Sequence, residues 1–285
     1  YTIDVSGTGD QPVLIIGIGT LLDRTTSIDI REQLTFYSSN LYWIGSNLPK
    51  NLTMDSLATD IRSVAIQLQL QTKPIIMAHS AYGPLALHAA KLFPDDFAGV
   101  MMIGSPPYWN NELIEKNKVF FQNYASDDRK KADAKYRNSP EVSGEILDQL
   151  DPYEKFLRLY TIYDRARYWK DFTNDSRPLW NGLDVNMPIL NNYFERLLPL
   201  YEITQDIDQI TCPVFLAAGR YDYDCCPKVR WDELDKKPNN FTIDEFKQSG
   251  HYPNKEEPKL FYKQALAWIA SQVKPYLKAK KENDR

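Results

Sequence analysis

Three short segments in this chain place a serine, an aspartate and a histidine where their types and spacing could perform acyl transfer. The serine lies in Ala78-His79-Ser80-Ala81-Tyr82-Gly83, after the apolar run 74–80 and before a helix-like run, 84–93. A sharp strand-to-helix turn at this point would lift the Ser80 hydroxyl above the sheet edge. It would also aim the first N–H groups of the new helix at the reacting centre, where negative charge develops. So tight a turn needs small residues two positions to either side. Ala78 meets this need, whereas Tyr82 stands where glycine is usual. An ordinary strand end with a capping serine would read the same way, so the motif needs partners.

Asp222 is one such partner. It follows the apolar run 213–219 in Gly219-Arg220-Tyr221-Asp222. Open α/β sheets place their active sites at the C-terminal ends of strands. A solvated turn aspartate is the plain alternative, and Asp224 is a rival two residues on, but Asp222 has the better distance from the strand. His251, in Ser249-Gly250-His251-Tyr252-Pro253, follows the last strand candidate, 241–246. Its near-neutral pKa suits a group that acts as base and then as acid in one turnover. Among the chain's three histidines, His79 is locked beside the serine, and His88 lies on the following helix, packed or facing outward. A fourth segment, Ile16-Gly17-Ile18-Gly19-Thr20, follows the first apolar run. Acyl transfer needs two N–H donors for the oxyanion. Ala81, next to the serine, offers one, and Ile18 in this loop offers the other. Leu22 replaces the third glycine of a dinucleotide fingerprint, which argues against nucleotide binding.

The elements that must position these residues follow from hydrophobic patterning. Runs at 12–19, 34–38, 74–80, 99–104, 213–219 and 241–246 read as strands, most of them buried on both faces. Between them, Thr53 caps a helix reaching about residue 69, with Met54, Leu57, Ile61, Val64 and Leu68 on one stripe. The run 258–273 carries Phe261, Ala265, Trp268 and Ile269 at helical spacing. This alternation predicts an α/β fold with a doubly wound, mostly parallel sheet. It breaks at 107–209, which has helical patterns and no convincing strand. The expected organisation is therefore a core of 1–106 and 210–285 with a helical cap at 107–209. The charged tail 278–285 is expected to fray.

The four segments in this order resemble the α/β-hydrolase superfamily, in its serine-nucleophile branch with an inserted helical cap. The resemblance covers nearly the whole chain and rests on IGIGT, AHSAYG, GRYD and SGHYPNKEEP. It implies a catalytic triad of Ser80, Asp222 and His251, with Ile18 and Ala81 forming the oxyanion hole. Within the superfamily, the cap placement, GRYDY and SGHYP are similar to proline iminopeptidases and esterases. The chain departs from the pattern in three places: Ile16 where the family often has His, and Ala78 and Tyr82 where it has Gly. The HGGPG and GGSWG patterns of true proline iminopeptidases are absent.

The expected function is a serine hydrolase that cleaves a small ester, thioester or lactone through an acyl-enzyme. An aminopeptidase acting on a free amino terminus is the alternative, and a non-catalytic ligand-binding protein on the same fold is a second. Trp43, Tyr82, Tyr108 and Tyr221 are the expected substrate-binding aromatics, with Trp109 and Tyr252 nearby. No metal or other cofactor is expected, since neither CxxC nor HExxH occurs. A formal net charge of -4 provides no basic field for nucleic acid or anionic membrane. No apolar run approaches the roughly 18 residues of a membrane span, and residues 1–9 lack the pattern of a signal peptide. Three cysteines, two of them adjacent (Cys225 and Cys226), do not form a disulfide framework, so a cytoplasmic setting is expected. The expected partner is a small-molecule substrate, and the sequence leaves a homo-oligomer open.

Overall fold

Residues 3–41, 43–45, 51–237 and 240–283 are described in a computed structural model. The central strands are β2 (Gln11–Ile15), β4 (Ile75–His79), β5 (Gly99–Ile103) and β6 (Val214–Gly219), and every residue in them is buried. Side chains alternate between the two faces of a strand. Leu14, Ile76, Val100 and Leu216 accordingly enter the core on one face, while Val13, Ile75, Met101 and Phe215 enter the core on the other. Burial on both faces explains why these segments read as unbroken apolar runs.

With β1 (Ile3–Ser6), β3 (Leu34–Ser39) and β7 (Phe241–Phe246), they form a seven-stranded sheet in the order β1-β3-β2-β4-β5-β6-β7. All pairings are parallel except that of β1 with β3. The chain is thus an α/β protein with a mostly parallel sheet. β1 escaped the sequence pattern because it is a short edge strand, IDVS, with Val5 facing solvent.

Helices cover both faces. α1 (Gly19–Asp23) follows β2, which ends at Ile15, short of the expected residue 19 because Gly17 turns the chain with φ +83°. α2 (Met54–Gln67) starts at a capping box in which Thr53 and Ser56 exchange side-chain-to-backbone hydrogen bonds. It buries Met54, Leu57, Ile61 and Val64, with Leu68 partly buried beyond its end. α3 (Gly83–Leu92) packs beside it. On the opposite face, helix Pro258–Trp268 packs Phe261, Ala265 and Trp268 into the second core. The chain stays helical through Asn283, so the described part of the 278–285 tail is helical; residues 284 and 285 lie outside the described residues. Two contacts with the turn after α3 hold it there: the Tyr276 hydroxyl donates to Pro94 O at 3.2 Å, and Lys280 Nζ lies 2.5 Å from Asp95 Oδ1.

Between β5 and β6 the described residues contain helices and no strand. The longest are α4 (Asn111–Tyr124) and α5 (Asp127–Arg137). A lone bridge between Ile44 and Val185 ties this stretch to the loop after β3. Arg129, buried on α5, donates to the carbonyls of Ala166, Trp169 and Lys170 at 2.6–2.8 Å. These are the orphan acceptors at the end of the short helix Arg165–Tyr168, where a cation suits the helix dipole.

The C-terminal ends of the parallel strands lie along one edge, and the loops leaving them pack closely. Gly219, the last residue of β6, lies against the backbone of Gly250, so that a Cβ at Gly219 would drive into the Gly250 carbonyl. Gly219→Ala is therefore expected to cost about 3 kcal/mol, the upper range for overpacking, read from the urea unfolding midpoint. An unchanged midpoint would show that the two loops are not pressed together.

Candidate active site

Ser80 follows the last residue of β4, and its backbone has φ +57°. A non-glycine residue in this region is strained and is found where surrounding structure forces it. Here α3 starts three residues later, and Gly83 lies so close to Ser105 that a Cβ would sit 2.5 Å from the Ser105 Cβ. The Ser105 hydroxyl donates to the Ser80 carbonyl at 2.7 Å and fixes the turn from below. The strand-turn-helix geometry leaves the serine side chain half-buried.

Asp222 stands three residues beyond β6 and is 1% exposed. Its Oδ1 accepts from the backbone N–H groups of Cys225 at 2.9 Å and Asp224 at 3.2 Å, which fixes the carboxylate plane. Its Oδ2 lies 2.7 Å from Nδ1 of His251, which is completely buried. Gly104, with φ +57°, leaves room for the pair, since a Cβ there would meet His251 Nδ1 at 2.9 Å. Burial opposes a charge on His251, but the Asp222 carboxylate and its hydrogen bond outweigh burial and hold the imidazole above its usual 6.5. His251 Nε2 is buried and makes no hydrogen bond among the described residues. The Ser80 hydroxyl instead lies 3.7 Å from Cys225 Sγ. In unliganded enzymes such links are commonly long and tighten around substrate.

The histidine loop is clamped from three sides. The backbone N–H of His251 donates to Tyr168 O at 2.5 Å, and its carbonyl accepts from His79 Nε2 at 3.0 Å. Burial, and next the charge of His251, hold His79 well below the ordinary histidine value. It therefore serves as a neutral donor. Glu256 accepts from the N–H groups of Gly250 at 2.7 Å and Lys170 at 2.9 Å, and Glu257 accepts from Gln248 N and Ser249 Oγ.

A cavity of about 510 Å³ opens at Ser80. Ile18, Ala81 and Tyr82 line it from the sheet side, and Phe156, Tyr160, Tyr168, Trp180 and Phe194 line it from the helices between β5 and β6. A larger groove of about 890 Å³ lies near the starts of β2 and β3, but it has no candidate nucleophile and sits at the wrong strand ends for an α/β site.

No family model matches the chain. It is 27% identical over 277 residues to the AB hydrolase superfamily protein YclE of Bacillus subtilis (strain 168), an alignment covering 94% of each chain. A thermophilic esterase from Thermogutta terrifontis superposes with a TM-score of 0.64 at 15% identity, over 94% of this chain and 92% of that one. Proline iminopeptidase from Mycobacterium smegmatis superposes with a TM-score of 0.65 at 15% identity, over 98% and 95%. The fold is that of the α/β hydrolases.

Within that hydrolase fold, the departure at Tyr82 has a structural answer. Gly17 leaves the space its ring occupies, since a Cβ at Gly17 would lie 2.6 Å from the Tyr82 ring. Trp43 meets the Tyr82 ring edge-on at 4.8 Å and Tyr193 at 5.1 Å. Of the four aromatics expected to bind substrate, Tyr82 reaches the cavity. Trp43 is fully buried behind it. Tyr108 accepts from Lys116 Nζ at 3.4 Å, Tyr221 lies 5.6 Å from the Arg129 guanidinium, and neither lines the cavity at Ser80. Trp109 does line the cavity. Tyr252 stacks between His79 and Trp169, and its hydroxyl is 2.6 Å from that of Tyr160.

The sequence reading missed Glu256 and Glu257, although an adjacent acidic pair just past a candidate histidine is a usable signal. It also missed Tyr160, Tyr168 and Trp180, for which no local pattern distinguishes a cavity wall from a core. His88, unrelated to the site, bonds to Asp55 Oδ1 at 2.6 Å and to the Tyr201 hydroxyl at 2.7 Å.

Proposed function

We propose that this chain is a serine hydrolase that cleaves a carboxylic ester-type bond, in a small ester, thioester or lactone, through an acyl-enzyme. The observation that carries the reading is Ser80 on a strained turn, opening into the aromatic-lined cavity, at the same sheet edge as the 2.7 Å His251–Asp222 pair. In this mechanism His251 takes the proton of Ser80 as the hydroxyl attacks the carbonyl. The N–H groups of Ile18 and Ala81 receive the oxyanion. His251 then protonates the leaving group, and water releases the acyl group. Asp222 keeps Nδ1 protonated, so that Nε2 is the basic nitrogen. The helices of 107–209 act as a cap that excludes water and shapes the acyl or leaving-group pocket. The three cysteines, all free and buried, suit a reducing compartment such as the cytoplasm. Among the described residues no helix is long and apolar enough to cross a membrane.

The test is mass spectrometry after treatment with a fluorophosphonate, on wild type and Ser80→Ala, followed by a panel of esters and aminoacyl amides. One adduct on Ser80, absent from the variant, is expected. Folded wild-type protein that takes no adduct would instead favour a ligand-binding protein on the hydrolase fold.

A further inference from the structure

Beyond Ser80 the charged residues lining the cavity are Lys118, Arg137, Arg167, Asp164 and Asp224; Lys118 is paired with Glu115, Asp133 pairs with both arginines, and the pairing leaves one carboxylate over. Arg167 pairs with Asp133, with Nε to Oδ1 at 3.2 Å. Arg137 pairs with Asp164 at 2.5 Å and with the second oxygen of Asp133 at 3.0 Å. Two cations thus answer two anions. Asp224, which lines the same cavity, has no ion pair among the described residues. Among the described residues, the one side-chain neighbour within hydrogen-bonding range of its carboxylate is the weak donor Cys225 Sγ, at 3.9 Å.

The Asp224 backbone is held firmly while its side chain is left without a strong partner. Its N–H donates to Asp222 Oδ1, and its carbonyl accepts from Asn117 Nδ2. Asp224 is half-buried, and the charges of His251 and Arg167 act on its carboxylate without contacting it, so a ligand cation that pairs with it directly would stabilise its charged form. The spacing identifies where the ligand charge would lie. Cys225 Sγ stands 3.7 Å from Ser80 Oγ and 3.9 Å from Asp224 Oδ2, so the nucleophile and the carboxylate both adjoin one thiol. An amine on the carbon next to the scissile carbonyl reaches past that thiol.

We propose that Asp224 is a specificity carboxylate which selects acyl groups bearing a protonated amine beside the scissile carbonyl, so that the preferred substrates are esters of amino acids. The assignment rests on Ser80 being the nucleophile. Burial, and next the charge of Asp164, push the empty Asp224 carboxyl up to about 7. A bound ammonium would restore its charge. The thiol beside both groups stays protonated, because burial and then the charge of Asp222 push Cys225 well above the ordinary cysteine value. It therefore does not compete as a cation-binding or nucleophilic group.

The experiment compares three esters on wild type and Asp224→Asn: phenylalanine ethyl ester, its des-amino analogue ethyl 3-phenylpropanoate, and the 2-aminoethyl ester of 3-phenylpropanoate. Wild type is expected to favour the amino-acid ester over the des-amino ester by about 10- to 100-fold in kcat/KM, the range for a charge-assisted hydrogen bond. Asp224→Asn is expected to lose that ratio. A wild type that does not prefer the amino-acid ester overturns the proposal, as does a variant that keeps the preference. Preference for the aminoethyl ester alone would place the cation on the leaving group and also overturn it. Should Asp224→Asn fail to fold, wild type alone decides. Phenylalaninamide should slow fluorophosphonate labelling of Ser80 well below the rate seen with 3-phenylpropanamide, and equal protection counts against Asp224. Absence of labelling at Ser80 sinks the hydrolase reading itself, whereas labelling without amine preference sinks only the role of Asp224.

Discussion

Ser80→Ala is expected to lower kcat on a neutral ester by roughly a million-fold, and His251→Ala by about as much, with the double variant no worse than either. In serine hydrolases the nucleophile and base act as one unit, so removing either removes the covalent route. The residual rate would come from binding and the oxyanion donors alone. The serine variant should fold normally, for physical reasons visible at the turn. The Ser105 hydroxyl holds the Ser80 carbonyl, not its side chain. Alanine meets the same backbone strain at φ +57° as serine does. The hydroxyl that the substitution removes makes only a weak approach to Cys225 Sγ, at 3.7 Å. Turnover should be measured with active-site titration, so that traces of wild-type enzyme do not mask the loss. A Ser80→Ala rate within tenfold of wild type would eliminate Ser80 as the nucleophile.

The central strands that hold this site were legible because burial on both faces leaves a short, near-continuous apolar run, and its length and flanking turn residues favour strand over helix. β4, β5 and β6 are short, apolar apart from His79 at the end of β4, and followed by a turn. Ser80 and Asp222 each stand just past such a run, whereas His251 follows β7, a half-buried strand that carries Thr242, Asp244 and Glu245. β1 left no such mark, since its pairing to β3 is dictated by the sheet edge and not by its own four residues. The cavity wall was illegible for a different reason. Tyr160, Tyr168 and Trp180 come from separate short helices, and their rings meet at 4.5 to 5.1 Å only after the chain has folded back several times. Aromatic composition announced a packed layer there without saying which rings face inward. Trp43 illustrates the converse. It is near the site in space but shielded from the cavity by Tyr82, an outcome set by Gly17 on another loop. The unpaired carboxyl of Asp224 was equally hidden, because it emerges only when the arginines of 107–209 are seen paired with other aspartates.

Asp222→Asn separates the aspartate's role from that of its neighbour at 224, and the two effects expected of it point in different directions. The rate should fall about ten-thousand-fold, because an amide can present its N–H to Nδ1 and so favour the wrong imidazole tautomer. The pH dependence should shift as well. Catalysis requires neutral His251, so kcat/KM falls as the pH drops through the histidine pKa. In the wild type that limb lies above the usual 6.5, since the Asp222 charge and hydrogen bond override burial, with smaller pulls from Asp224 and Glu256. Removing the Asp222 charge leaves burial as the larger influence on a fully buried ring, and burial disfavours the imidazolium. The acid limb of the variant should therefore move to lower pH even as its height collapses. The check is a pH profile of kcat/KM on a neutral ester, from about pH 5 to pH 9, for both proteins. A variant that keeps most of its rate and an unmoved limb would mean that Asp224 orients His251 in place of Asp222. The same result would remove Asp224 from the substrate's side of the cavity, because a carboxylate committed to the imidazole has no charge left for an ammonium.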